Sequence, residues 1–129
     1  MRLLLDTHIW LWALLDPGRI SSAATRAVED GRNELWLSPI SVWECLLLAR
    51  RGRITLDADP NLWVKDALRS FPLRDATMTR DIALVSRTVD LPHEDPADRF
   101  IAATAAVRDL TLVTADARLL KVAGVKLLA

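Results

Sequence analysis

Apolar residues in this chain come in short consecutive runs, each leading into a longer stretch with helical spacing. Arg2–Asp6 reads as a short buried strand, followed at once by a helix through about Leu15. Asp16-Pro-Gly breaks that helix, and Ser21 or Ser22 caps a second one ending near Gly31. Glu34–Ser38 is the next strand. Pro39 fits the first turn of a helix running to Arg51, and Gly52 is placed to end it. Asn61–Phe71 and Arg80–Val89 have helical periodicity, with an extended piece around Pro72–Arg74 between them. Asp95-Pro96 opens another helix. Leu110–Thr114 is a strand, Asp116–Val122 a short helix and Val125–Leu128 a last strand.

Strands alternating with helices across short connections predict parallel pairing through right-handed crossovers. The expected fold class is α/β, a parallel sheet with helices on both faces. No repeat, low-complexity segment or long linker divides the 129 residues, so one domain over 1–129 is expected. A chain of that length buries roughly 65–70% of its unfolded surface.

Composition narrows the class. Hydrophobic residues at 51% and charged residues at 26% suit a globular domain rather than a disordered one. No apolar run approaches the roughly 18 residues of a membrane span. The apolar N-terminus is interrupted at Asp6 and His8 and lacks a small-residue cleavage site, so it is not read as a signal peptide. The single cysteine, Cys45, suits a reducing cytosol, and a cytoplasmic protein is expected. Net charge is zero, which argues against a strongly basic nucleic-acid grip but allows an acidic centre inside a basic rim.

Four acids, Asp6, Glu44, Asp98 and Asp116, each stand just past an apolar run and near the start of a helical stretch. In a parallel sheet that position is the carboxyl edge of the strands, where ligands bind. Each acid alone has a structural explanation. Asp6 and Asp116 can cap helices, Ser41-Val-Trp-Glu44 matches a capping box, and Asp95-Pro-Ala-Asp98 resembles an N-cap followed by an acid favoured by the helix dipole. Together the explanations weaken, because capping, at about 1 kcal/mol each, is served equally well by Ser, Thr or Asn. Two carboxylates about 4 Å apart repel by roughly 4 kcal/mol at an effective dielectric near 20. A cation relieves that repulsion, and oxygen-only ligands suit Mg²⁺ or Mn²⁺. Zinc motifs, a nucleophile elbow, a phosphate loop and a dinucleotide fingerprint are absent, and Cys45 lies in the apolar run WECLLLA. His8 reads as a helix-face histidine with a local partner.

The stretches LLLDTHIWLWALLDP, LSPISVWECLLLARRGRI, LPHEDPADRFIAATA and LTLVTAD resemble PIN-domain ribonucleases of the VapC type, toxins of toxin–antitoxin pairs. Only Asp57–Leu91 carries no diagnostic motif of that family. The resemblance implies a three-layer α/β/α sandwich around a four- or five-stranded parallel sheet. It also implies a Mg²⁺-dependent endoribonuclease, with Mn²⁺ as substitute, that hydrolyses phosphodiesters with a metal-activated water. Carried over, Asp6 and Asp98 are direct metal ligands, Asp116 completes the cluster, and Glu44 holds a metal-bound water. Thr7 and Thr114 are hydroxyls that orient the acids, and Asp95 is a helix cap or auxiliary acid. Arg50, Arg51 and Arg53 form the densest basic patch and are candidates for RNA phosphate contacts, although cations there also meet the end of a helix. Arg99 is a better candidate for local support than for substrate contact.

The first helix is apolar almost all round, from Ile9 to Leu15, and the Glu44 helix shows the same excess in Trp43 and Leu46–Leu48. Either both helices are deeply buried or they meet partners. The resemblance favours partners: a second copy in a homodimer and a small antitoxin, with no membrane. Two rival readings stand beside the nuclease. An acidic-pocket phosphoryl-transfer domain of the phosphatase type wants a second Asp where His8 stands. A catalytically silent binding module would use the acids only as caps.

Overall fold

The computed structural model describes all 129 residues. Five strands form one sheet: β1 Arg2–Leu5, β2 Glu34–Leu37, β3 Leu73–Asp75, β4 Thr111–Val113 and β5 Lys126–Leu128. Their order is β3-β2-β1-β4-β5 and every pairing is parallel. Between them run α1 Thr7–Leu15, α2 Ser22–Glu29, α3 Pro39–Arg50, α4 Pro60–Ser70, α5 Arg80–Val85 and α6 Pro96–Arg108. The chain leaves β1 in one direction to build β2 and β3, then returns across the sheet to build β4 and β5. The crevice where that direction reverses lies beyond the ends of β1 and β4, the favoured ligand position in open parallel sheets.

Alternating side chains of β1 feed two cores. Leu3 and Leu5 join Ile9, Trp10, Leu35, Leu37, Cys45 and Val64 on the face covered by α1–α4. Leu4 joins Ile101, Ala102, Ala105, Leu112 and Leu119 on the face covered by α6. Leu3, Leu4 and Leu5 are wholly buried, which is why an unbroken apolar run serves as a strand here. The architecture is the expected α/β/α sandwich, with five strands.

Several element boundaries differ from the sequence reading. Helix α5 stops at Val85 and continues only as turns, rather than running to Val89. The Ser86 hydroxyl donates to the Ala83 carbonyl, and the carbonyls of Ser86, Arg87 and Val89 accept from Arg99 instead of extending the helix. The expected helix over Asp116–Val122 is a turn followed by a short 3₁₀ segment, Leu119–Lys121. Nor does a capping box start at Ser41. Ser38 caps α3, its hydroxyl accepting from Ile40 N, so Ser41 already lies inside the helix. Helix α4 begins a residue early at Pro60, capped by Asp59.

Helix α1 buries Ile9, Trp10 and Leu11 and leaves Trp12 and Leu14 half-buried, while Leu15 is exposed. On α3 the side chain of Trp43 leaves the residue 52% exposed, a large apolar surface facing solvent. No helix is long and apolar enough to cross a membrane.

Candidate active site

Asp6, the residue after β1, adopts an extended conformation and caps α1, its Oδ1 accepting from Thr7 N at 2.8 Å. Its Oδ2 accepts from the Thr114 hydroxyl, also at 2.8 Å. Thr114 follows β4 directly, and its oxygen in turn accepts from Asp116 N at 3.0 Å. The Thr7 hydroxyl donates to Ser41 Oγ at 2.9 Å, tying the start of α1 to the first turn of α3. Thr7, Ser41 and Thr114 are completely buried. Of the two threonines only Thr114 meets an acid through its hydroxyl, whereas Thr7 reaches Asp6 through its backbone N–H and spends its hydroxyl on Ser41.

Asp98 reaches the same place from α6. Asp95 caps that helix, accepting from Ala97 N and Asp98 N, and so sets Asp98 in the first turn. Asp98 is buried at 6% exposure and Asp6 at 5%. Glu44 stands on α3, half-buried, close enough for its charge to push Asp6 upward. Three helix N-termini, those of α1, α3 and α6, carry these acids or start beside them. Their positive dipole ends favour anions and partly offset the crowding.

The crowding is visible in the acidities. Burial raises the Asp6 carboxyl from 3.8 to about 6 against the lowering effect of Thr114 and Thr7, with Glu44 adding to the rise. Burial likewise raises Asp98 to about 7, helped by Asp95, Asp6 and Asp116 and opposed by Arg118. Asp116 goes the other way. Partial burial pushes it up, but hydrogen bonds from the Arg118 side chain and backbone outweigh that and hold it below the usual range.

Arg118 is the residue the sequence reading missed. Its guanidinium donates to Asp98 Oδ2 at 3.3 Å and to Asp116 Oδ2 at 3.2 Å, bridging the two carboxylates. No three acidic, histidine or cysteine side chains converge on one point at ligand distance. Arg118 supplies the positive charge between Asp98 and Asp116. Its position two residues after Asp116 was the available signal, because Asp116 Oδ1 accepts from Arg118 N in a tight turn.

A pocket of about 240 Å³ opens over two of the four acids, lined by Asp6, His8, Trp12, Ala115 and Asp116. The His8 ring lies 5.6 Å from that of Trp12, one turn along the helix, and Arg19 stacks on Trp12 at 4.4 Å. His8 thus has the expected local partner and also faces the pocket. A larger cleft of about 590 Å³, between Val28–Leu35 and Pro72–Arg74, contains none of the four acids. Arg50, Arg51 and Arg53 are exposed at the C-terminal end of α3, which ends at Arg50 roughly 18 Å along the axis from Ser38 at 1.5 Å per residue. They are not part of the acidic cluster. Cys45 is buried and its thiol is pushed up to about 11, which removes it as a nucleophile at neutral pH.

This arrangement suits chemistry on a phosphate. The family model described as PIN domain matches residues 3–125. Ribonuclease VapC22 of Mycobacterium tuberculosis is 37% identical over 119 residues, which cover 90% of this chain and 88% of that protein. Among solved structures, VapBC2 from Rickettsia felis, bound to a DNA fragment from their promoter, matches with a TM-score of 0.74. Identity there is 16%, over 99% of this chain and 98% of the other. DNA-bound VapBC from Salmonella typhimurium matches with a TM-score of 0.68 at 18% identity, over 99% and 97% of the two chains. At such identities the structural likeness speaks for the fold.

Proposed function

Because the chain belongs to the PIN-domain family, we propose that it is an endoribonuclease, the toxin of a toxin–antitoxin pair. The observation that carries this reading is the 37% identity to a ribonuclease across 90% of the chain. The buried acids at the carboxyl edge of the sheet support it.

The donor set fits a hard divalent cation, Mg²⁺ or Mn²⁺. Every candidate ligand is a carboxylate oxygen, and two of the acids, Asp6 and Asp98, are raised to about 6 and about 7 by burial first and by neighbouring carboxylates second. Asp6 and Asp98 would hold the ion, with Asp116 completing the set once Arg118 turns outward. Bound there, such an ion neutralises charge on a phosphoryl oxygen and eases deprotonation of water. The protein's own groups do the rest. Thr114 and Thr7 keep Asp6 in one orientation. Glu44, half-buried beside Asp6, accepts a proton from the attacking water. The N-termini of α1, α3 and α6 favour the substrate phosphate. Arg118, released from the carboxylates, is placed to meet a phosphate oxygen, whereas Arg50, Arg51 and Arg53 contact RNA only along a longer path.

The partners follow from the relatives and the surface. The VapBC neighbours are toxin–antitoxin complexes, and a small antitoxin is proposed here too. Exposed Trp43 and Leu15 give α3 and α1 apolar surface for that segment or for a second copy. A reducing cytoplasm is the proposed setting, in keeping with one free, buried cysteine.

The test is cleavage of RNA by purified protein in Mg²⁺ or Mn²⁺, beside EDTA and the Asp6→Asn/Asp98→Asn double variant. Cleavage that depends on the ion and disappears in the double variant is expected. Equal degradation by both proteins would overturn the reading.

A further inference from the structure

The segment His93-Glu94-Asp95-Pro96-Ala97-Asp98-Arg99 works as one unit. Asp95 N donates to His93 Nδ1 at 3.3 Å, so Nδ1 is the acceptor nitrogen of the ring. In the neutral imidazole the proton is then on Nε2. That Nε2 is buried, has no hydrogen-bond partner and stands 3.6 Å from Asp98 Oδ2. A buried donor left without a partner calls for a reason.

The loop that carries His93 is held in place. Arg99, 6% exposed, donates to five backbone carbonyls, those of Ser86, Arg87, Val89, Leu91 and His93. The bond to His93 O is 2.9 Å. Asp95 completes the unit by capping α6 through Ala97 N and Asp98 N, so the two partners of the 3.6 Å gap are fixed from both sides.

We propose that His93 is a positioning residue of the active site, whose Nε2–H closes on Asp98 Oδ2 and fixes the orientation of that carboxylate. The inference rests on the ribonuclease reading above. Two donors address Asp98 Oδ2, and they differ in permanence. The Arg118 side chain is 55% exposed and bonds to side chains at the solvent edge, whereas that of His93 is 18% exposed and anchored by its loop. Once Arg118 leaves, His93 is the donor that remains, and the other carboxylate oxygen is left to meet a cation. A donor behind a metal-binding side chain commonly changes metal affinity or activity by about 10–100-fold.

The experiment compares His93→Asn with His93→Gln. Asparagine can keep an acceptor for Asp95 N but has no donor at the Nε2 position. Glutamine can restore that donor. His93→Asn is expected to weaken Mn²⁺ binding, measured by calorimetry, and to lower kcat, each by about tenfold. The KM for RNA and the melting temperature should stay near those of the wild type, and His93→Gln should recover most of both losses. Long-range ¹⁵N spectra of the wild type should show the neutral His93 ring protonated on Nε2. Wild-type Mn²⁺ affinity and kcat in His93→Asn would overturn the proposal. So would equal impairment of the two variants, or a ring protonated on Nδ1. Two controls separate the levels. Wild-type protein that cleaves no RNA in Mn²⁺, or cleaves it no faster than the Asp6→Asn/Asp98→Asn double variant, would sink the ribonuclease reading. Normal cleavage by Asp98→Asn alone would sink the His93 proposal and leave that reading standing.

Discussion

Thr114 donates its hydroxyl to Asp6 across 2.8 Å, joining residues 108 positions apart in the chain. Each residue directly follows one strand of an adjacent pair, β1 and β4, so the bond spans the crevice at the point where the sheet reverses its build order. The same hydroxyl oxygen accepts from Asp116 N. Thr114→Val keeps the shape and removes both bonds. It is expected to cost about 2 kcal/mol of stability, the worth of a buried bond to a charged group, and to lower RNA cleavage at least tenfold. Thr114→Ser should keep most of both. Urea unfolding with a cleavage assay decides, and a valine variant equal to the serine one would count against the role.

Arg99 carries a buried charge with five carbonyl partners and no carboxylate among its hydrogen bonds. Arg99→Ala leaves those carbonyls without their donor. The expected loss is on the order of 3–5 kcal/mol, as for breaking a buried charged network. Lys presents one compact charge instead of a planar fork, so Arg99→Lys should recover only a minor part. Denaturant midpoints for the two variants test this. A lysine variant as stable as the wild type would show that charge alone, and not the five-bond geometry, holds the loop.

The residues that are readable in the sequence are those whose role is local. Asp6 follows an apolar run and caps the next helix, and Asp95-Pro96 announces α6, so the strand ends and their acids can be placed from chain neighbours alone. Contacts made across the sheet are not readable in that way. Ser41 resembles a cap because its spacing to Glu44 is that of a capping box, yet Ser38-Pro39 starts the helix and Ser41 Oγ accepts from Thr7 instead. The end of α5 depends on Arg99, thirteen residues beyond Ser86, taking its carbonyls. Arg118 is hidden for a related reason. Its turn with Asp116 is local, but the bridge to Asp98 exists only because α6 and the end of β4 meet at one edge.

Asp6→Asn separates stability from catalysis. The substitution removes a carboxylate whose burial pushes it up to about 6, while one amide oxygen can still accept from Thr7 N. In metal-free buffer at pH 7 the variant should be at least as stable as the wild type. Cleavage should fall at least a hundredfold, roughly what is expected for a carboxylate that holds the cation. Melting curves in EDTA and a cleavage time course are sufficient. A variant that is both inactive and markedly less stable would mean that Asp6 serves the fold, and the metal assignment would lose its main support.

The same pair of proteins yields a pH dependence with a definite sign. Asp6 and Asp98 have folded-state carboxyls at about 6 and about 7, above the ordinary 3.8. The folded protein therefore binds these protons more tightly than the unfolded chain. Their favourable contribution is complete below about pH 4 and is lost as pH rises through about 6 to 7. Asp116, held below its usual range, acts in the opposite direction, but only at lower pH. For Asp6 alone the loss at pH 7 is on the order of 3 kcal/mol. Denaturant unfolding in EDTA between about pH 4.5 and 7.5 should show wild-type stability falling relative to Asp6→Asn, with the gap closing toward the acid end. Mg²⁺ at about pH 7.5 should restore the wild type and leave the variant nearly unchanged, because a ligand stabilises only the state that binds it. A pH-independent difference between the two proteins would mean that Asp6 is not under strain, and a shared response to Mg²⁺ would place the ion elsewhere.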